Sequence, residues 1–432
     1  MDRPASVARR PIRHLRWYIA VLLCCASELN YLDRQALSVL ADTLQRELGL
    51  TTRDYANITS AFLISYTVMY AVSGRIVDVV GSRRTFLVFV SAWSGVTMLH
   101  ALARNAVQFA VVRFLLGMAE PANFPAGVRA VSEWFPMRER ALAVGIFNAG
   151  TALGSTAAVP AVSFIALYYG WRLAFVLSGA LGFIWVAIWA AVYRLPAEHP
   201  RLAPEERALL SEGQSSSTPD RPPAITLLLR RPQTWGCVAA RALTDPITYF
   251  LTFWIPVYLQ QERGFTLSDI GAYGWIPFFA LTIGNIAAGA IPRALVARGW
   301  AVDRARKTTM LTVSLVILVS YLALREMTSP TWAMVCITAI FFGHAAWGNI
   351  ILPAEIFPAR AVGTVSGLGG SIGGVVGILT QQAIGRVVET AGYAPVFLAA
   401  AFVYLAAYGL VVWLCGELGQ IIPLGDEEEA RA

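Results

Sequence analysis

The sequence predicts an all-α membrane protein with twelve transmembrane helices arranged as two six-helix bundles, and three observations support this fold class. Of the 432 residues, 56% are hydrophobic and only 14% are charged, whereas a soluble domain has about a quarter of its residues charged. Apolar stretches of about 20 residues, long enough to cross a bilayer, recur along the whole chain. A sequence motif of the first half also recurs in the second half.

Twelve spans are predicted, joined by short loops. They lie near residues 17–40, 55–76, 84–103, 106–131, 141–164, 172–193, 234–260, 270–292, 308–325, 331–353, 362–388 and 395–416. An even number places both termini on one side of the membrane. The loops on that side hold most of the loop arginines and lysines, so we expect both termini in the cytoplasm and the protein in the inner (plasma) membrane. The apolar stretch 17–40 is too long for the core of a signal peptide and is expected to remain as the first span.

The charge balance gives no reason to expect a nucleic-acid partner. The net charge is +7, but the basic residues lie in short loops between apolar stretches, which is the distribution that orients a membrane protein. The five cysteines fall within or beside apolar stretches and form no metal or disulfide pattern. We therefore expect the lipid bilayer as the surroundings, no cofactor, no metal and a monomer.

A long polar stretch divides the chain. Residues 194–233 are rich in proline, serine and charged residues, which is typical of a linker, and one short helix is expected near 204–212. The predicted organisation is an N-terminal bundle over 1–193, a cytoplasmic linker over 194–233, and a C-terminal bundle with a short cytoplasmic tail over 234–432.

An internal repeat supports this division. "SEWFPMRERALAVG" at 132–145 resembles "AEIFPARAVGTVSG" at 354–367, and Glu133 matches Glu355 at a constant offset of 222 residues. Each copy follows the fourth span of its half. Two halves repeated in parallel around a midplane site form the architecture of one large class of transporters.

The loop after the second span resembles a known family signature. "GRIVDVVGSRR" at 74–84 is similar to the loop motif of the major facilitator superfamily, in which a glycine, an acid and a basic pair form part of the cytoplasmic gate. The resemblance assigns that role to Gly74, Asp78, Gly81, Arg83 and Arg84. The second half carries only a degraded copy, at 289–307.

Four further segments resemble the anion:cation symporter branch of this superfamily: "NYLDRQALSV", "RFLLGMAEPANFPAG", "DPITYFLTFWIPVYL" and "GHAAWGNIILPAEIFPARAVG". The last two are most similar to hexuronate transporters. The resemblance implies import of an organic anion, a hexuronate or related sugar acid, by proton symport with alternating access. The alternatives are another organic anion (an aldonate, a dicarboxylate or an aromatic acid), or a membrane sensor that binds sugar acids without moving them.

The first predicted span contains an adjacent acid and base, Asp33 and Arg34. A charge at the bilayer centre costs at least ~2.5–3.5 kcal/mol, so such residues usually serve a function. Neighbouring residues of a helix point about 100° apart and are poorly placed to pair with each other. We expect Arg34 to bind a substrate carboxylate beside Tyr31, and Asp33 to bind and release a proton; the alternative is a structural ion pair or a staple between helices.

The fourth span places Arg113 and Glu120 seven residues apart, and so on one helix face, with Pro121 loosening the backbone. We expect Arg113 to contact substrate and Glu120 to be the main proton-coupling residue, and in the family the acids that match Glu120 and Asp33 have this role. The alternative is an Arg113–Glu120 pair that only joins helices.

The second half contributes further polar candidates. Arg241 and Asp245 of the seventh span lie four residues apart and form either a polar patch of the site, with Asp245 in proton coupling or hydroxyl binding, or a pair within one helix. The other expected substrate-binding residues are Tyr66, Tyr249, His344, Trp347 and Asn349.

Two patterns exclude other functions. The glycine series "GTVSGLGGSIGGVVG" at 363–377 lacks the ending of a phosphate loop and is expected to let helices pack closely. No catalytic set or nucleotide-binding motif is present in the sequence, so we expect neither an enzyme nor an ATP-driven pump.

Overall fold

The computed structural model describes residues 11–212 and 225–424, and within these ranges the chain crosses the fold twelve times as helices. The described residues form no sheet; one isolated bridge joins Ile12 to Leu202. The predicted all-α, twelve-helix fold class is confirmed. The helices are α1 Leu15–Val39, α2 Thr52–Val80, α3 Ser82–Leu99, α4 Ala106–Ala119 continued by Asn123–Trp134, α5 Met137–Tyr169, α6 Trp171–Val192, α7 Pro232–Phe253 continued by Ile255–Arg263, α8 Leu267–Tyr273 continued by Trp275–Ala297, α9 Val302–Glu326, α10 Pro330–Ala346 continued by Leu352–Ile356, α11 Ala359–Ala391 and α12 Ala394–Cys415.

Eight of these passes are long and apolar enough to cross a membrane by length and composition. The four that do not meet this criterion are α1, α2, α4 and α7. These four also carry most of the polar residues expected in the site. Polar side chains within spanning helices are costly unless they face the interior of the bundle, so the weak apolar character of these passes marks them as the helices that line it.

The repeat extends beyond the motif that reveals it in the sequence. Helices α5 and α11 both have 33 residues, and the prolines that precede them, Pro136 and Pro358, have φ/ψ of −63°/153° and −62°/152°. Both helices end at a glycine with positive φ, 84° at Gly170 and 71° at Gly392, a conformation that other residues adopt only with strain. The two halves are therefore built on one backbone plan.

We call α1–α6 the N-half and α7–α12 the C-half. The side of the fold that holds both ends of the described chain is called the terminal face, and the opposite side the distal face. Within each half, α1 packs against α5 and α7 against α11. Between the halves, α2 packs against α11 and α5 against α8.

The halves are joined by hydrogen bonds at the distal face. The Tyr55 hydroxyl of α2 donates to the backbone oxygen of Phe253 at 2.7 Å. The side-chain amide of Gln382 in α11 donates to the hydroxyl of Ser60 at 2.8 Å. Backbone contact is close here as well, since a Cβ placed on Gly385 would lie 2.5 Å from the Cβ of Ala56. The distal side of the interface between the halves is closed.

The terminal ends of the helices at this interface are further apart. A Cβ on glycines of α2, α5, α8 and α11 near this face would meet nothing within 4 Å: these are Gly74, Gly145, Gly289, Gly363 and Gly367. The space beside these glycines indicates that the interface between the halves opens towards the terminal face.

The first part of the linker, residues 194–212, is folded against the N-half. A helix spans Pro204–Glu212, the position at which the sequence predicts one, while residues 213–224 lie outside the described part. The Glu206 carboxylate accepts hydrogen bonds from the backbone N–H groups of Leu15 (3.0 Å) and Arg16 (3.2 Å), and so caps the start of α1. Arg16 itself bridges Glu206 at 2.6 Å and Glu139 of α5 at 2.9 Å.

A buried histidine completes this attachment. Burial lowers the pKa of His199, and the charges of Arg194, Arg201 and Arg207 act in the same direction. A neutral ring fits its two contacts, in which Nε2 donates to the Val192 oxygen (3.1 Å) and Nδ1 accepts from the Arg201 N–H (3.2 Å).

Candidate functional site

Arg34 and Glu120 form the centre of the candidate site. Arg34 projects from α1. Glu120 belongs to the 3-10 turn Glu120–Ala122, which contains Pro121 and interrupts α4. Nε and Nη2 of Arg34 both donate to Oε2 of Glu120, at 3.1 Å and 2.7 Å. Both residues are buried, with 8% of Arg34 and 1% of Glu120 exposed. The proline break of α4 thus brings a carboxylate from a second helix to the arginine of the first.

Aromatic rings surround the Arg34 guanidinium on its other sides. Its central carbon lies 4.7 Å from the ring centres of both Tyr31 and Tyr66, and 5.2 Å from that of Phe62. A cation within about 6 Å of an aromatic face is attracted to it. The rings hold the charge in place while leaving its donors directed along the plane of the guanidinium.

Asp33 points away from Arg34, as expected for adjacent helix residues. Its carboxylate accepts a hydrogen bond from the hydroxyl of Ser178 in α6, and 2% of the residue is exposed. The two charges of this pair therefore have different partners. Ser178 was not identified from the sequence, because a lone serine in an apolar span carries no signal of its partner.

Arg113 contacts the same Phe62 ring as Arg34, at 6.0 Å from its centre, and does not bond to Glu120. It is fully buried, and none of its three guanidinium nitrogens has a hydrogen-bond acceptor among the described residues. It interacts electrostatically with Glu120 and Asp33. The alternative Arg113–Glu120 pair does not form, because Glu120 lies at the proline break of α4 and bonds to Arg34 of α1 instead.

The C-half contributes a second pair of opposite charges. Nε and Nη2 of Arg241 donate to Oδ2 of Asp245 one turn later, at 3.0 Å and 2.8 Å. The amide nitrogen of Asn349, from the break in α10, donates to Oδ1 of Asp245 at 3.2 Å and to the hydroxyl of Thr244 at 2.7 Å. Asn349 and the α7 pair thus form one hydrogen-bonded group.

The glycine series of α11 makes room for these side chains. A Cβ on Gly373 would lie 2.4 Å from a carboxylate oxygen of Asp245, and one on Gly377 would lie 2.5 Å from the ring of Tyr249. Gly374 on the same helix approaches Thr67 of α2, where a Cβ would be 2.7 Å from the hydroxyl. The glycines therefore allow close helix contact, and they also provide space for polar groups of α7.

The two charged groups face the same interface between the halves. Gly373 and Gly377 of α11 contact Asp245 and Tyr249 of α7, while Gly374 contacts Thr67 of α2. Next to Thr67, the Tyr66 ring covers Arg34 and stacks on Tyr70, with the ring centres 6.0 Å apart. The structure thus brings Arg34, Tyr31, Tyr66, Tyr249, Asp245 and Asn349 together around one region.

Two residues of the tenth span have other surroundings. Nε2 of His344 is 3.0 Å from the hydroxyl of Thr248, and Nδ1 contacts the hydroxyl of Tyr404 in α12, so His344 links α7 to α12 behind the site. Trp347 is fully buried, and its indole N–H donates to Ser314 of α9 at 3.0 Å. Its ring packs on Tyr404 inside the C-half, so Trp347, expected to bind substrate, is a core residue in this conformation.

The expected gate motif lies at the turn between α2 and α3. Gly81 has a φ of 85° and ends α2 while starting α3. Arg84 is exposed, and Arg83 donates to the Ala190 oxygen at 3.1 Å. Gly74 lies within α2 and has open space beside it, while the side chain of Asp78 lies outside the described part of the structure.

Glutamates of the repeated motif anchor both versions of this turn. Glu133 accepts from Ser82 at 2.5 Å and from Arg129 at 2.9 Å, and Arg129 also donates to the Val77 oxygen of α2 at 2.5 Å. In the C-half, Glu355 pairs with Arg306 at 2.8 Å, and Arg306 donates to the Ala288 oxygen of α8 at 3.1 Å. Each half thus has an arginine–glutamate–carbonyl contact at this turn, with the arginine on α4 in the N-half and on α9 in the C-half.

No metal site accompanies these groups: within residues 11–212 and 225–424, no cluster of three histidine, cysteine, aspartate or glutamate side chains could hold an ion.

Comparisons with known proteins place this arrangement in context. The sequence profile of the Major Facilitator Superfamily matches residues 23–381. The chain is 33% identical over 411 residues to the hexuronate transporter of Escherichia coli K12, which covers 94% of each chain. It is 35% identical over 284 residues to the galacturonate transporter of Dickeya chrysanthemi, covering 65% of this chain and 82% of that protein. Its fold is similar to the crystal structure of a bacterial homologue of the human lysosomal transporter Spinster, with a TM-score of 0.70 at 18% identity over 94% of this chain and 96% of the other.

Proposed function

Because this chain belongs to the Major Facilitator Superfamily, we propose that it imports a hexuronate or a related sugar acid together with protons. Like the other members of its family, it is a multi-pass membrane transporter and not an enzyme. The observation that carries the proposal is the buried Arg34 at the interface of the halves, bound through a single carboxylate oxygen of Glu120. Its similarity to the hexuronate and galacturonate transporters supports the choice of substrate.

Arg34 binds the substrate carboxylate. A guanidinium binds carboxylates through two parallel N–H donors, and in this structure Nε and Nη2 of Arg34 already donate to Glu120. An incoming carboxylate therefore competes with Glu120 for the same donors. Nη1, which Glu120 does not engage, offers the first point of contact.

Protonation of Glu120 couples the proton to the anion. A neutral carboxyl group accepts weaker hydrogen bonds from an arginine than a carboxylate does. A proton on Glu120 thus releases Arg34 for the substrate, and loss of that proton lets Glu120 displace the substrate from Arg34. Proton and anion bind best together, which is the requirement of a symporter.

Asp33 and Arg113 support this exchange. Asp33 is a second carboxylate buried beside the pair, and we assign it a second proton-binding role. Arg113 is too deeply buried to contact substrate in this conformation. It acts on substrate binding through its electrostatic interaction with Glu120 and Asp33.

The C-half binds the hydroxyl groups of the sugar. Asp245, Asn349 and Tyr249 supply acceptors and donors opposite Arg34, with Tyr31 and Tyr66 on the side of the N-half. His344 holds α7 and α12 behind them, and Arg241 holds Asp245 in place.

Transport requires the open side of the protein to alternate between the terminal face and the distal face. The structure is closed at the distal face and open at the terminal face. With the termini in the cytoplasm, as the loop charges indicate, this is an inward-facing state. The glycine-containing turn after α2 and its counterpart after α8 form the cytoplasmic gate that closes when the distal side opens.

Uptake of labelled glucuronate into proteoliposomes, with and without an inward proton gradient, tests the proposal. We expect gradient-driven accumulation by the wild type and none by Arg34→Ala. Absence of uptake by a correctly folded wild type would contradict the substrate class, and a panel of other organic anions would then be tested.

A further inference from the structure

We propose that Asp245 determines substrate specificity by accepting a hydroxyl group at the end of the substrate opposite the carboxylate, and by rejecting a second carboxylate there. This inference rests on the proposed function, in which Arg34 binds the first carboxylate. It separates polyhydroxy monocarboxylates, such as hexuronates and aldonates, from dicarboxylates such as glucarate.

The cation of the C-half is already paired within the protein. Nε and Nη2 of Arg241 donate to Oδ2 of Asp245 at 3.0 Å and 2.8 Å, and Nη1 donates to the backbone oxygen of Ser366 at 3.2 Å. Each of its three nitrogens therefore has a protein acceptor. Arg241 also lies on the same helix as Asp245, so the pair moves together and Arg241 is not released when the halves separate.

Asp245 retains acceptor capacity. A carboxylate has about four lone-pair sites, and Oδ1 of Asp245 accepts one hydrogen bond, from the Asn349 amide at 3.2 Å. The same amide nitrogen donates to the hydroxyl of Thr244 at 2.7 Å, so its hydrogen bond to Asp245 is the longer of the two. A substrate hydroxyl can donate to the remaining position.

The contacts of α11 place Asp245 beside the N-half. Gly373 faces Asp245 without a side chain, and a Cβ there would lie 2.4 Å from Oδ2 of the carboxylate. A Cβ on the next residue, Gly374, would lie 2.7 Å from the hydroxyl of Thr67 in α2, and the ring of the adjoining Tyr66 lies 4.7 Å from the central carbon of Arg34. The acceptor of the C-half thus lies at the interface that carries the aromatic rings around Arg34.

The consequence for a dicarboxylate is like-charge repulsion without compensation. Bringing like charges together in a desolvated site costs several kcal/mol. A second substrate carboxylate beside Asp245 would meet a cation whose charge is already offset by Asp245 on the same helix. A hydroxyl at the same place would instead gain a hydrogen bond to a charged acceptor, which is stronger than one to a neutral acceptor.

The test is competition against labelled glucuronate uptake by unlabelled glucuronate and unlabelled glucarate, in wild type and Asp245→Asn. We expect the wild type to prefer glucuronate by about 100-fold, as a like-charge penalty of a few kcal/mol implies. In Asp245→Asn, Arg241 becomes available to a carboxylate, and the preference should fall at least about tenfold. Glu262→Gln, an exposed change on the same pass, should keep the wild-type ratio.

The double variant Arg241→Gln/Asp245→Asn guards against misfolding from an unpaired arginine. It removes both charges, and we expect it to lose about tenfold in glucuronate affinity without gaining glucarate binding. An unchanged glucuronate-to-glucarate ratio in Asp245→Asn, or wild-type glucuronate affinity in the double variant, would overturn the assignment.

Measurement of proton-driven uptake separates this specificity role of Asp245 from a role in proton coupling. Asp245→Asn should retain accumulation of glucuronate driven by a proton gradient, and loss of that coupling at unchanged specificity would assign Asp245 to proton transfer instead. If the wild type takes up neither compound, the proposed function fails; if it takes up glucuronate and the ratio does not change, only the specificity role fails.

Discussion

Arg34 shows how the fold tolerates a full charge where apolar side chains dominate. The guanidinium is bound at 2.7 Å by a carboxylate of another helix and lies within 5.2 Å of three aromatic ring centres. A buried ion pair stabilises little, because the desolvation cost offsets the attraction, but removal of one partner is strongly destabilising. In the proposed mechanism, the function of this pair is to exchange partners.

Arg34→Lys tests the need for the planar fork. Lysine keeps the charge but cannot donate through two parallel N–H groups to one oxygen. We expect glucuronate uptake to fall by at least about 100-fold while the protein remains folded. Arg172→Lys, at an exposed arginine stacked on Trp171, is the matched control and should retain uptake; equal activity of the two variants would contradict the role of Arg34.

Sequence reasoning identified the charged residues of the site but not their partners. Adjacent positions on a helix predict that Asp33 and Arg34 separate, and they do. The partner of Arg34 depends on the break in α4, which turns Glu120 towards α1, and the depth of Trp347 depends on packing against α9 and α12. Contacts between helices distant in sequence leave no periodic pattern in either segment.

At the scale of elements, small residues set the distance between α1 and α5. Gly150 and Gly154 lie in the segment "GTALG", and a Cβ on either would lie 2.1 Å and 2.2 Å from backbone oxygens of α1, those of Cys24 and Glu28. Glycines four residues apart commonly allow membrane helices to approach closely. This crossing fixes α1, and with it Arg34, against the rest of the N-half.

Gly154→Ala should therefore destabilise the protein. The clash is with backbone, which cannot move without shifting a helix, and overpacking of this kind costs about 1–3 kcal/mol. We expect a lower thermal unfolding midpoint in detergent. Gly409→Ala, on α12 where a Cβ meets nothing within 4 Å, should leave the midpoint unchanged or raise it, and a similar loss in both variants would contradict the close crossing.

The attachment of the linker makes a second prediction at this scale. Glu206 caps α1 and pairs with Arg16, and loss of a helix cap costs about 0.5–2 kcal/mol. Glu206→Ala should lower the unfolding midpoint and increase proteolysis of the linker. The exposed neighbour Glu205 provides the control Glu205→Ala; if it has the same effect, the cap is not what holds the linker.

For the whole molecule, composition and the repeated motif were sufficient to predict twelve helices and two related halves, because the bilayer restricts spanning structures so strongly. The fine form of the repeat was not predictable. Gly170 and Gly392 share the offset of 222 residues, but their positive φ and the equal lengths of α5 and α11 become visible only in the structure. The open terminal side also depends on how the halves pack, which no local pattern reports.

Alternation between open sides can be stopped by a cross-link at the distal face. The Cβ positions of residues 56 and 385 lie close together in this state, within reach of a disulfide after a small shift. Ala56→Cys/Gly385→Cys, made in a cysteine-free background, should lose uptake on oxidation and regain it with reductant, while either single variant should not respond. Uptake by the cross-linked protein would show that the distal side need not open.

The central claim is that Glu120 binds either Arg34 or a proton, and measurement of proton movement tests it most directly. Proteoliposomes containing a pH-sensitive dye, with no imposed gradient, would be given external glucuronate. The wild type should acidify the interior as glucuronate enters, whereas Glu120→Gln should exchange labelled for unlabelled glucuronate without acidification. Glucuronate entry without acidification in the wild type, or unchanged acidification in Glu120→Gln, would contradict it.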